Sequence, residues 1–431
     1  MTKNNSNTYD ILIIGGGIAG IYTATEIIKA RPKLRVALAE KYKILGGRTF
    51  TFYADVSGVS YQWEEGGARI KNNHVLINGL IKKYNLNTIP ISEESRYKMD
   101  GAHPVEPDLF HPAIPTFLYP LLSLPQETLQ KTTIRKLLTE IHGQRLTDNF
   151  LERYPYRAEV NIMRADMALE LFKNEMRGDD GYSICKEGLS KLIERMRIAA
   201  EKKGVTFLVH HELVDVDGHN AHFKHGPPSE GVGREDVVVE ATTIVFALPF
   251  TALKSIKQFE KLAMSKYLTM APLLRIYSVF PPLKDGTQWF QDLPRTVSST
   301  HARYIIPANS KKGALQISYT DSIDAVPLME LYKEKGITAL ETHLLEDVRT
   351  LFHKDIPKPL FTKAHPWEDG VTYWLPGDYD PYKVSKEICK PFKELNWFVC
   401  GESYSVRQGW IEGALEHAET MLKLLKITTK R

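Results

Sequence analysis

Residues Tyr9 to Gly20 read Y-D-I-L-I-I-G-G-G-I-A-G, and the rest of the chain is read outward from them. Ile11 to Ile14 are four successive apolar residues, enough for one buried parallel strand and too few for a helix. Gly15, Gly17 and Gly20 then follow at G-x-G-x-x-G spacing. The first permits a tight turn, the second lets backbone approach a pyrophosphate, and the third lets the next helix pack closely on the strand. That helix is predicted over roughly Ile18 to Ala30, offering its first N–H groups and its dipole to phosphate. A second strand, Arg35 to Ala39, runs into Glu40. An acid about 20 residues beyond such glycines is where adenosine ribose hydroxyls find an acceptor. Strand, helix, second strand and terminal acid together predict dinucleotide binding.

The chain has 431 residues, more than one core usually serves, so two or three domains are expected. Its 43% hydrophobic and 25% charged content is that of an ordinary globular protein. A net charge of +4 without a basic run gives no electrostatic footprint for nucleic acid. Cys185, Cys389 and Cys400 are odd in number and lack metal spacing, so reduced thiols, an intracellular (cytoplasmic) setting and no metal site are expected. The polar start M-T-K-N-N-S-N-T is not expected to be a signal peptide. The longest apolar run, Ile244 to Leu253, contains Pro249 and is too short to span a bilayer.

Further along, Phe50 to Gly58 and Val59 to Trp63 read as a hairpin leading into W-E-E-G-G-A-R-I. Asn73 to Tyr84 reads as a helix. The six prolines from Pro104 to Pro125 argue against one regular helix or a central strand and suggest a packed irregular cover. Helices are expected over Glu127 to Ile141, Val160 to Met176, Leu189 to Lys203 and Ala325 to Phe352. Strands are expected at Val205 to Val209, His211 to Val216, Val237 to Ala241, Ile244 to Leu248, Leu273 to Phe280, Leu315 to Tyr319 and Trp397 to Cys400. Asn220 to Asp236 reads as an exposed hairpin tip, and a last helix begins near Gly409.

Four separated stretches together resemble the flavin-containing amine oxidases, which include monoamine, polyamine and L-amino-acid oxidases. These are the glycine-rich opening with Glu40, G-G-R-T at Gly46 to Thr49, H-E-L-V-D-V with I-V-F-A-L-P-F, and F-V-C-G-E-S…G-W-I-E-G-A-L. The resemblance implies an α/β fold. A Rossmann-like FAD-binding domain would be assembled from 1–78, 183–256 and 384–431. A mixed sheet and helical substrate domain would come from 79–182 and 257–383, with its helical portion at about 127–182.

It also implies contacts to non-covalent FAD. Gly15, Gly17, Ile18, Ala19, Gly20, Glu40 and Lys41 would hold the adenosine and pyrophosphate. Gly47 and Arg48 would follow near the pyrophosphate, Val214 would meet the adenine through its backbone, and Gly67, Ala68 and Arg69 would lie along the cofactor. Gly401 and Glu402 would meet the ribityl or phosphate region, with Gly409, Trp410 and Ile411 at the flavin ring.

Two departures stand out. Members with covalent flavin carry a cysteine in the stretch matching E-D-G-V-T-Y-W, where this chain has Gly370, Val371 and Thr372. The family's usual lysine beside flavin N5 is replaced by Arg275. Arg69 falls where L-amino-acid oxidases grip the substrate carboxylate, for which a guanidinium's two parallel N–H groups are suited; a surface salt bridge with Glu64 or Glu65 is the plainer alternative. Trp410 and either Tyr373 or Trp374 would wall an aromatic slot. The implied reaction is oxidation of a C–N bond in an L-amino acid, with O2 as acceptor giving H2O2. The alternatives are a monoamine or polyamine oxidase or desaturase of the same fold, and a FAD-bound scaffold with little turnover. An oligomer is compatible with the sequence.

Overall fold

The computed structural model describes residues 7–92, 94–101, 103–176, 181–227 and 234–427. The opening forms the strand Thr8–Ile14 and the helix Ile18–Ala30, joined by the glycines alone. The strand lies mid-sheet, with Val36–Ala39 on one side and Glu235–Phe246 on the other, both parallel to it. Thr206–Leu208 continues the parallel order beyond Val36–Ala39. On the other edge, His211–Asp217 and Asn220–His225 form an antiparallel meander onto the first half of Glu235–Phe246. Trp397–Val399 joins the last half of that strand in parallel. One seven-stranded sheet is therefore assembled from stretches far apart in sequence, in an α/β fold.

The central strands are buried on both faces, which is why they read as unbroken apolar runs. The helices Ile18–Ala30, Leu189–Glu201 and Ile411–Leu424 cover one face. Ile21, Ile27, Leu192, Met196, Leu415 and Met421 share a core there with Ile13 and Leu38. A second, six-stranded sheet runs in the order Phe361–Trp374, Leu268–Val279, Ala314–Asp321, Tyr304–Asn309, Arg295–Ser298 and Ser95–Lys98. It is antiparallel except for its last pair.

Several expectations are corrected in detail. The proline-rich stretch is not a loop throughout: Phe110–Phe117 is helical and Tyr119–Ser123 is a 3-10 turn. Pro112 falls in the first helical turn, where no intrahelical N–H bond is lost. Phe110 anchors this piece by stacking on Phe150 and Tyr154, with ring centroids 4.8 and 4.7 Å apart. The helix expected over Glu127 to Ile141 is broken into Gln126–Gln130 and Ile134–His142, with Thr133 capping the second. Val160 to Met176 is likewise split, into Ala158–Asn161 and Ala165–Asn174.

Val237 to Ala241 and Ile244 to Leu248 are one strand, Glu235–Phe246, because Thr242 and Thr243 continue it and no turn residue intervenes. Asn220–His225 is a paired strand and not part of a tip, and 228–233 of that expected tip lie outside the described residues. The long helix Ser322–Phe352 is interrupted at Gly336, whose φ of 75° is open to glycine.

Candidate active site

A cavity of about 1080 Å³ is bounded by both sheets, and it gathers the glycine loop, Glu40, 46–49, 66–69, Val214, Arg275, 366–371 and 408–411. Its volume is at the upper end for a single ligand site, which leaves room for a large cofactor and a substrate together.

At the glycine loop the sequence dictates the geometry. Gly15 has φ 110°, and a Cβ there would lie 2.4 Å from the Ala247 carbonyl oxygen. A Cβ on Gly17 or on Gly401 would meet nothing within 4 Å, and both glycines line the cavity. Backbone at both points is thus open to close approach by a bulky ligand, which is the fit a dinucleotide needs. Glu40, at the end of Val36–Ala39, accepts from the Gly16 N–H at 2.7 Å and the Tyr42 N–H at 3.0 Å. Burial raises its pKa, and those N–H bonds oppose the rise. Lys41 pairs with Glu212 at 2.6 Å. Val214 is the extra residue where the register with Asn220–His225 shifts, so its backbone lies outside the ladder and on the cavity.

Arg48 is not a free surface arginine. It bonds Glu402 at 2.9 Å and the Gly370 carbonyl at 3.0 Å. Glu402 also accepts from the N–H groups of Thr372 and Gly409 and from the Thr372 hydroxyl. Four donors fill both oxygens, so in this structure Glu402 fixes Arg48 and the approach to Ile411–Leu424. Ile411, at the N-terminus of that helix, lines the cavity with Gly67 and Ala68.

A second group of residues surrounds Arg69. Its guanidinium carbon lies 5.5 Å from the rings of Tyr156 and Tyr182 and 5.6 Å from that of Trp410. Neither carboxylate of the plainer alternative holds it. Glu64 is engaged by the Thr51 hydroxyl and the Leu189 N–H, both at 2.9 Å, and Glu65 faces His365 at 3.3 Å. No ion pair to Arg69 occurs among the described residues.

Glu159 and Asp321 line the same cavity and are not legible from sequence spacing. Asp321 accepts from the N–H groups of Arg157 and Ala158 at 2.8 and 3.1 Å. Among the described residues Glu159 accepts from the Tyr373 hydroxyl at 3.5 Å, and its other oxygen is buried without a partner. Burial raises both carboxyls, and Asp321 raises Glu159 further. The sequence neighbours of Glu159, namely Arg157, Ala158, Val160 and Asn161, mix charged, apolar and polar residues and carry no signal of their own.

Arg275 lines the cavity but is pinned: it donates to the carbonyls of Glu64, at 3.0 Å, and Gly66, and lies 4.9 Å from the Tyr319 ring. Tyr373 lines the cavity, whereas the indole of Trp374 is buried in the core and donates to the Ser405 carbonyl at 3.1 Å. Gly20 is the exception among the sequence-derived contacts. A Cβ there would lie 2.0 Å from the Gly15 carbonyl oxygen, so it packs helix on strand behind the cavity wall.

Cys185 also lines the cavity, where burial pushes its thiol up to about 11. Ligand atoms of His301, His343 and Asp347 come within 4.8 Å of one another outside this cavity, a grouping that sequence spacing did not suggest. No helix among the described residues is long and apolar enough to cross a membrane.

The family described as flavin containing amine oxidoreductase matches residues 18–421. "Amine oxidase [flavin-containing]" of Oncorhynchus mykiss is 33% identical over 90 residues, which is 21% of this chain and 16% of that enzyme. The enzyme of the same name from Danio rerio is 32% identical over 90 residues, with the same shares of 21% and 16%. The matched stretch thus spans less than a fifth of those relatives' own length. A solved putrescine oxidase with putrescine bound superimposes with a TM-score of 0.71 at 14% identity, covering 97% of this chain and 99% of that one. A second form of that enzyme, with a redesigned cofactor site, gives 0.74 at 15% identity over 98% and 99%. At such identities the likeness concerns the fold.

Proposed function

The chain belongs to the flavin-containing amine oxidoreductase family, and from that premise we propose that it oxidises the C–N bond of an α-amino acid. The observation that carries the choice of substrate is the caged Arg69 guanidinium, which lines the cavity without an acidic partner among the described residues. A half-buried cation that faces a cavity without a counter-charge is costly, and a substrate carboxylate supplies one with bidentate geometry.

FAD would be held non-covalently by Gly15, Gly17, Glu40, Arg48, the Val214 backbone and the N-terminus of Ile411–Leu424. The cofactor-holding unit would be 1–78, 183–256 and 384–431, and the substrate unit 79–182 and 257–383. The bound flavin would supply the two-electron acceptor for oxidation of the amine to an imine, with O2 as the final acceptor giving H2O2 and hydrolysis of the imine giving a keto acid and ammonia. The protein's own part is positional. Arg69 would fix the carboxylate, Trp410 and Tyr373 would wall the reacting carbon, and their rings would exclude water. Arg275 would hold the 64–66 carbonyls that lead into Arg69.

A diamine or polyamine oxidase is the second reading. It is favoured by Glu159 and Asp321 on the same cavity and by the putrescine oxidases of like fold. Anaerobic mixing of the flavin-loaded enzyme with amino acids and their decarboxylated amines tests both. Amino acids are expected to bleach the flavin and, in air, to release peroxide. Bleaching by amines alone rules out the amino-acid reading, and no bleaching by either leaves a flavin-bound scaffold.

A further inference from the structure

Among the described residues, Glu159 is the one cavity carboxylate with a buried oxygen that lacks a partner. Asp321 is satisfied by two backbone N–H groups, Glu64 by Thr51 and Leu189, and Glu402 by four donors. From the other described side chains Glu159 receives one bond at the limit of hydrogen-bond length, from Tyr373, and one of its oxygens has no partner. A buried acceptor left unmade costs its full desolvation, so such a group is expected to have a partner in the working complex.

In the resting site the charge nearest in kind is Arg69, which lowers the Glu159 pKa without approaching to ion-pair distance. Once a substrate carboxylate occupies Arg69, that compensation is lost and Glu159 needs a cation of its own. Tyr156 and Tyr319 line the same cavity as Glu159, edge to face with centroids 5.3 Å apart, and burial and the Glu159 charge raise both hydroxyls. Aromatic faces next to a carboxylate suit an alkylammonium, whose methylenes lie on the rings while its head meets the oxygens.

We propose that Glu159, with Tyr156 and Tyr319, forms a subsite for a second cationic group on the substrate. Joined to the carboxylate role of Arg69, on which this part rests, the subsite makes the substrate a basic amino acid with a side chain ending in an ammonium group. A neutral side chain of equal length leaves the Glu159 oxygen unpaired and is selected against.

Four compounds separate the two roles: L-ornithine, its isostere L-norleucine, and the decarboxylated pair putrescine and pentylamine. Stopped-flow bleaching of flavin-loaded wild type without oxygen, across substrate concentrations, gives affinity and rate for each. Ornithine should exceed norleucine, and putrescine pentylamine, by roughly 10- to 100-fold, the span of a hydrogen bond to a charged group. Glu159→Gln should abolish both preferences, lowering ornithine and putrescine far more than norleucine and pentylamine.

Equal wild-type rates for ornithine and norleucine, and likewise for the two amines, overturn the subsite. An equal loss for ornithine and norleucine in Glu159→Gln also overturns it, because Glu159 would then face the reacting amine. Putrescine oxidised better than ornithine, with the preference for the second cation intact, leaves the subsite standing and removes the carboxylate role of Arg69. If Glu159→Gln does not fold, the wild-type ratios decide.

Discussion

Arg69 and Arg275 are both arginines on one cavity, yet their surroundings give them different work. Arg69 is faced by three aromatic rings and has no ion-pair partner among the described residues, so Arg69→Ala would leave a bound carboxylate unpaired. Losing one partner of a buried charged pair costs about 3–5 kcal/mol, a drop of roughly a hundredfold or more in kcat/KM. Amino acids should suffer that loss and the matching amines should not, with flavin content and Tm near wild type. Arg275 is held by two carbonyls. Lysine there could hold a water beside flavin N5 and lower its pKa, which the fixed guanidinium does not do. Arg275→Lys should therefore reoxidise faster in stopped flow while melting lower, because the fork to Glu64 and Gly66 is lost; unchanged reoxidation would place the oxygen step elsewhere. Burial and Asp321 push Glu159 up to about 8. Below that pH an arriving ammonium must displace its proton, and above it the carboxylate is ready, so the ornithine-to-norleucine ratio should rise between about pH 7 and 9. A flat ratio would mean that Glu159 does not titrate against the side chain. Residue by residue, the glycine loop and Glu40 were legible because fixed spacing along the chain creates them. Glu159 was not, since its meaning depends on Arg69, 90 positions away, and on Tyr373, which only folding brings near.

At the scale of elements, Glu64 ties the hairpin Thr51–Val56/Val59–Glu64 to the start of Leu189–Glu201, through the Thr51 hydroxyl and the Leu189 N–H. Burial pushes it up to about 7. A carboxyl raised on folding contributes stability that is present below its unfolded value and is lost as pH rises through the folded one. Between about pH 4.5 and 7 the folded state binds the extra proton, so this contribution falls across that window. Glu64→Gln should flatten the decline of Tm with pH, and a slope identical to wild type would show that other groups set it. Glu64→Ala, which orphans the buried Leu189 N–H, should cost about 1–3 kcal/mol in denaturant unfolding at any pH. Strands and long helices were legible because burial on two faces or one writes its period into the sequence. Short helices at 110–174 were less so: breaks at Lys131 and Met163 follow from packing and capping, and Phe110–Phe117 forms despite its prolines because aromatic stacking holds it.

For the whole molecule, the attachment stretch offers Gly370, Val371 and Thr372, and Cys185 on the cavity is kept protonated and therefore a poor nucleophile. Acid precipitation should release all flavin into the supernatant, and colour retained in the pellet would reveal a covalent bond. The α/β class was readable from one strand-glycine-helix unit, and two strands of the second sheet from their apolar runs, whereas the strand order of that sheet was not, because it follows from pairings between distant segments. The position of Trp397–Val399 and Ile411–Leu424 has a further consequence, in time. The helix that leans on Ile18–Ala30, and the strand that completes the sheet edge, leave the ribosome long after the glycine loop does. At ~5–20 residues per second, roughly 20–80 s separate the emergence of the glycine loop from that of its closing helix. Throughout that interval the nascent chain displays a partly uncovered apolar sheet face and an unfinished pocket, so flavin capture waits for that helix, and the chain that lacks it is the form most in need of a chaperone.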